Sequence, residues 1–251
     1  MPPCPMGSFL YTIRPGDTIW IIAQRYNTSI NAIAAVNPGV NLYNLYIGQA
    51  ICIPQGYVHY PPTHFPAPTG ISRAEFDLNN NIRMLWEQHV FWTRLTILSM
   101  VFGLPDVDVV TKRLLRNPKD FEAALRPLYG DRIASRFADL FTRHLVIAAE
   151  LVKAAKAGNS RAAADAEKRW YANADEIAAF LASINPYWSE ENWKNMLYKH
   201  LAMTKSEAVS LLTKKYEESI SIFDEIEKQA LEMADYITYG IVRQFPDNFR
   251  V

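Results

Sequence analysis

Apolar and polar residues change their period along this chain, and the changes divide it. "LYTIR" (10–14) alternates in β-favouring residues, as a half-buried strand does. Asp17 or Thr18 can cap the segment that follows, "TIWIIAQRY", where Ile19, Ile22, Ala23 and Tyr26 fall on one helical face. "NTS" interrupts it, Ser29 offers a second N-cap for "INAIAAVN", and "NPG" ends that helix. "QAICIP" returns as a strand with Pro54 at its end. The predicted order over the first 55 residues is β-α-α-β.

A different texture follows. Residues 56–70 carry Pro61, Pro62, Pro66 and Pro68 and read as a proline-rich spacer without helix or clean strand pattern. His59 and His64 lie there with no flanking carboxylate or cysteine, as solvated linker histidines. From Ser72 onward the period is helical nearly throughout. A capping box, Ser72 with Glu75, opens a helix that is apolar almost all round from Met84 to Leu104 and is therefore expected to be central and buried. Pro105, Pro118, Pro127 and Gly130 punctuate two short helices. Longer amphipathic segments then end at Gly158, at Pro186 and near the C-terminus, with Asn159 or Ser160 and Ser189 as caps. Residues 71–251 are expected to form a mainly α-helical up-and-down bundle.

Composition narrows the function. Twenty-six Lys+Arg balance 26 Asp+Glu, which argues against a general nucleic-acid binder, since that needs a basic surface to displace counterions. The longest apolar runs, such as "LTILSMVFGL", reach about half the ~20 residues of a membrane span. No secretory pattern is evident at the N-terminus, so synthesis in the cytoplasm is expected. The two cysteines, Cys4 and Cys52, both fall in the first segment, so a thiolate nucleophile or thiolate metal site is excluded from most of the chain. Without an export signal reduced thiols are expected, and a Cys4–Cys52 bridge is the alternative.

The stretches "YTIRPGDTIWIIAQRYNTS", "INAIAAVNP" and "LYIGQAICIP", taken together, resemble the LysM family over about residues 10–54. The resemblance implies a βααβ module that binds N-acetylglucosamine-containing glycans, of peptidoglycan or chitin type, in a shallow groove between the loop after the first strand and the loop before the second. It would place Asp17, Thr18 and Ile19 on one wall and Asn37, Leu42 and Tyr43 on the other. The same residues have a structural reading: Asp17 and Thr18 as a helix cap, Asn37 as a helix terminator. The helical body, in "LWEQHVFWTR", "RLLRNP", "WYANADEIAAFL" and "LYKHLAMT", faintly resembles uncharacterised proteins of spore-forming bacteria. That implies association with a cell wall or spore envelope and supplies no activity.

Polar residues interrupt the apolar stripes of the body. His89 shares a face with Ile82, Leu85 and Trp92; His200 with Trp193, Leu197 and Leu211; His144 lies on its own helix's stripe. Trp170 and Asn173 share a stripe, and Glu207 follows His200 two turns on. Three histidines and several acids on facing helices are the raw material of a metal site in a bundle. Glu-x-x-His, the paired-ligand spacing of di-iron bundles, is absent. Thr93 and Thr204, each one turn beyond a histidine, offer local hydrogen bonds instead. His89, His144 and His200 are therefore expected to be satisfied core residues, with metal ligation the alternative and no cofactor expected. Glu87 is a candidate buried acid for a helical glycoside-cleaving enzyme. However, the Glu-Ser pair of such enzymes is missing, and Arg83 and Arg94 are at hand for an ion pair. The expected function is non-catalytic glycan binding by the module, with the helical body contacting a protein or ligand. A wall-anchored enzyme with an acid or metal site in the bundle is the alternative.

Overall fold

The computed structural model describes residues 4–14, 17–26, 28, 30–42, 45–54 and 70–250, apart from the side chains of Trp20, Gln24 and Asn31. The proline-rich spacer with His59 and His64, the Ser29 cap and Tyr43 of the expected groove lie outside the described residues. The chain divides into two compact units, Met1–Ala67 and Pro68–Val251.

The first unit follows the order read from the sequence: β1 (Ser8–Thr12), α1 (Ile19–Arg25), α2 (Ile30–Ala35) and β2 (Ala50–Pro54). The strands pair antiparallel, Leu10 opposite Cys52. Their inner residues close over Ile19, Ile22, Ala23 and Ile33 from the helices. So small a core is marginal by itself. Two devices reinforce it, and both act at Cys52. A disulfide joins Cys52 to Cys4, correcting the expectation of reduced thiols: the antiparallel register brings the segment before β1 alongside β2, within bridging distance. On the edge of β2 away from β1, the buried Asn37 takes the place of a third strand. Its Nδ2 donates to Cys52 O (2.6 Å) and Ile33 O (2.7 Å), and its Oδ1 accepts from Cys52 N (2.7 Å).

The second unit consists of α3 (Arg73–Phe102), α4 (Val107–Leu114), α5 (Asn117–Lys156), α6 (Ser160–Ile184), α7 (Glu190–Leu212), α8 (Tyr216–Gln244) and a terminal 3₁₀ turn, Pro246–Phe249. Ser72, Asn159 and Ser189 cap α3, α6 and α7 through their side chains. Within α5, Gly130 (φ 76°, ψ 169°) takes a conformation open to glycine alone. The chain reverses there: Ser135 donates to Glu122 at 2.9 Å, and Arg126 pairs with Asp131 at 2.7 Å. The arms 117–129 and 131–156 therefore act as separate helices.

Each long helix packs against the next, and α8 returns to α3, closing the ring. Short connections make neighbours alternate in direction. Lys156, at the end of the second α5 arm, donates to Met100 O near the end of α3, so these two run the same way. A closed ring gives every helix an outward face. This corrects the expectation that α3 is buried all round: Met84, Phe91 and Phe102 form an exposed stripe along it. Among the described residues, no helix is long and apolar enough to cross a membrane.

Candidate functional site

In the first unit the residues expected to line a groove hold its walls up. The Asp17 carboxylate is 2% exposed. It accepts from Tyr11 OH (2.5 Å) and Arg14 N (2.9 Å) and pairs with Arg25 at 3.0 Å. Burial alone raises this carboxyl, but the Tyr11 hydroxyl, the Arg14 N–H and the Arg25 charge outweigh it and hold it below its ordinary value. Thr18 Oγ1 accepts from Ile21 N and starts α1. Ile19 and Leu42 are core residues, and Asn37 is the β2 clamp. None of these five side chains stands free at the surface. Among the described residues, Tyr46 and Ile47 in the turn before β2 are 68% and 66% exposed. They sit inside the quoted "LYIGQ" stretch, and their signal was two large apolar residues beside a turn glycine.

The helical unit brings His89 (α3), His144 (second arm of α5) and His200 (α7) together. All three are buried, and one ring nitrogen of each lies within 4.8 Å of the others. Their ring centres are 5.5, 6.3 and 6.4 Å apart. Burial holds His144 at about 3, His200 at about 4 and His89 well below its ordinary value, so all three are neutral at pH 7. The local hydrogen bonds expected from threonine are not formed. Thr93 and Thr204 hydroxyls and all three Nδ1 atoms lack a partner, so the threonines do not serve the histidines.

A repeat underlies the convergence. His89, His144 and His200 recur 55 and 56 residues apart, and a side-chain amide follows each one on the next antiparallel helix: Asn117, Asn173 and Gln229. Each amide nitrogen donates to the backbone carbonyl one turn before its histidine: Asn117 to Leu85 O, Asn173 to Leu140 O and Gln229 to Met196 O, at 2.9, 3.2 and 2.6 Å. Those pairs are 32, 33 and 33 residues apart in sequence. Helical side chains lean toward the N-terminus, so each imidazole leans toward that same carbonyl. Asn173 favours the protonated form of His144, and Gln229 that of His200. The oxygens of all three amides lack a full hydrogen bond. Four residues after the amides come Phe121, Ile177 and Met233, all buried. The body is thus three helical hairpins built on one pattern, arranged about a histidine layer. The signal was a period near 56 residues, visible only when the chain is compared with itself.

On the C-terminal side of that layer lies an apolar cleft of about 270 Å³. Thr93, Ala148 and Thr204, each one turn beyond a histidine, line it, as do Ile97, Val152 and Trp170. The Lys205–Glu167 ion pair (2.6 Å) also borders it.

Glu87 does not pair with either expected arginine. Arg83 binds the buried Asp235 at 2.6 Å, and Arg94 binds the buried Glu207. Glu87 faces Glu227 instead: burial, then the hydrogen bond and charge of Glu227, push it up to about 7 against Arg83. Glu87 and Glu227 lie on α3 and α8, away from the cleft lining.

Residues 11–54 match the LysM domain family. A curated relative, the secreted LysM effector Blys4 of Beauveria bassiana (strain ARSEF 2860), is 40% identical over 50 residues. The match covers 20% of this chain and 29% of the relative, so the chain spans less than a third of that protein's length. No solved structure matches the chain.

Proposed function

Since residues 11–54 form a LysM domain, we propose that the protein binds N-acetylglucosamine-containing glycan, of peptidoglycan or chitin type, through this module without cleaving it. The observation that carries the reading is the complete LysM pattern, with the Tyr11–Asp17–Arg25 network holding Asp17 against β1 and Asn37 clamping β2. Backbone held in place around Asp17–Ile19 suits the N-acetyl amide, and preorganisation lowers the ordering cost of binding. Tyr46 and Ile47 offer apolar area for a sugar face or the acetyl methyl. The helical unit then contacts a protein or small ligand. The Cys4–Cys52 bridge fits work in an oxidising setting such as a cell wall or spore envelope.

A shallow polar groove gives micromolar-to-millimolar affinity, roughly −4 to −8 kcal/mol. Titration of the full chain with chitohexaose and with soluble peptidoglycan fragments, followed by calorimetry, is expected to saturate in that range. The double variant Tyr46→Ala/Ile47→Ala should bind at least tenfold more weakly. Absence of saturation with either glycan would overturn the proposal.

A further inference from the structure

We propose that His89, His144 and His200 form one transition-metal site, with Zn²⁺ as the ion, and that its fourth coordination position opens onto the apolar cleft. The argument begins with cost. Three buried imidazoles on three helices each leave a ring nitrogen without a protein partner, and a buried unsatisfied polar group is destabilising. Leucine at each position would pack without that penalty. An ion at the centre satisfies three nitrogens at once and gives the penalty a purpose.

Geometry agrees. The point equidistant from the three ring centres lies about 3.5 Å from each, against about 3.2 Å for imidazoles bound through nitrogen at 2.0–2.1 Å. The ring nitrogens themselves lie within 4.8 Å of one another, so side-chain shifts of up to about 0.7 Å bring them to a common ion at 2.0–2.1 Å. Three nitrogen donors without thiolate or carboxylate suit zinc and its borderline neighbours rather than magnesium or calcium.

The repeated amides are the second observation, independent of the first. Asn117, Asn173 and Gln229 are each anchored through nitrogen to the carbonyl one turn before a histidine, which leaves a buried amide oxygen without a partner near each of these turns. An acceptor there takes the proton of the outer ring nitrogen and turns the other nitrogen toward the centre, as outer partners of metal-bound histidine do. The pattern occurs three times, once per hairpin, around one point. Packing alone does not require that.

Three neutral ligands leave the charge of a divalent ion uncompensated in a core of low polarity. The fourth position therefore takes an anion: hydroxide, or the anionic head of a small ligand whose apolar part fills the cleft. Thr93 and Thr204, whose hydroxyls lack partners, border the cleft next to the site and can hydrogen-bond that group.

The test uses the full chain, freed of metal by a chelator and titrated with Zn²⁺ and, separately, Co²⁺. One ion per chain with Kd below about 1 μM is expected, and Co²⁺ should give the intense visible bands of a four-coordinate nitrogen site. Azide should shift those bands if the fourth position is open; an unchanged spectrum would refute the open position. The protein has five histidines, so His59→Ala/His64→Ala serves as the control and should bind as before. His200→Leu should lose at least a hundredfold in affinity while keeping its helical circular dichroism. Asn173→Leu, which leaves the ligands in place, should lose ten- to a hundredfold and alter the Co²⁺ spectrum. If His200→Leu fails to fold, Asn173→Leu and the wild-type spectrum decide. Failure of the full chain to take up either ion below micromolar, or uptake that follows His59 and His64, would overturn the proposal.

Discussion

Replacing Asn37 by alanine separates two roles that the sequence alone leaves open, glycan contact and structural clamp. Asn37 is 7% exposed, and its amide makes three hydrogen bonds of 2.6–2.7 Å. Two of them satisfy both backbone groups of Cys52 on the open edge of a two-stranded sheet. Truncation leaves that N–H and C=O without partners, at about 1–3 kcal/mol each, so a total near 3 kcal/mol is expected. A unit of this size has only about 2–7 kcal/mol of stability. Amide hydrogen exchange by mass spectrometry on peptides spanning β1 and β2 reads the loss directly: 3 kcal/mol is roughly a hundredfold faster exchange. Asn37→Asp should be no better, because a carboxylate would face the oxygens of Ile33 and Cys52 where the amide nitrogen now donates. Protection within about threefold of wild type, together with weakened glycan binding, would refute the clamp and make Asn37 a glycan contact.

Two further outcomes are expected. Reducing Cys4–Cys52, 48 residues apart, should destabilise the first unit by up to about 4 kcal/mol on chain entropy; its strands should lose exchange protection while the far-ultraviolet signal of the helices stays, and equal protection of both forms would count against it. Glu87, raised to about 7, binds its proton more tightly folded than unfolded, so its contribution is greatest below the ordinary carboxylate pKa and declines as pH rises through 7. Glu87→Gln should therefore be more stable than wild type at pH 8 but not at pH 4; stability curves that run parallel across this range would contradict the raised Glu87 carboxyl.

The β-α-α-β order, the three side-chain caps and the helical body were legible in the sequence because each depends on residues within one or two turns of each other. The LysM domain was legible for the same reason: its pattern occupies one continuous stretch. Asp17, Thr18, Ile19, Asn37 and Leu42 were singled out as groove residues, yet sequence could not say which way each side chain faces. Only the closed core showed them bracing the loops. The disulfide was equally undecided until the register of β1 and β2 brought the cysteines together. The histidine layer lay furthest from local reading. A search for Glu-x-x-His asks for ligands on one helix, whereas here each hairpin supplies a single imidazole from a separate helix, more than 50 residues from the next. Closing the ring of hairpins is what brings them together, so the tertiary structure alone decided that three isolated polar residues became one cluster.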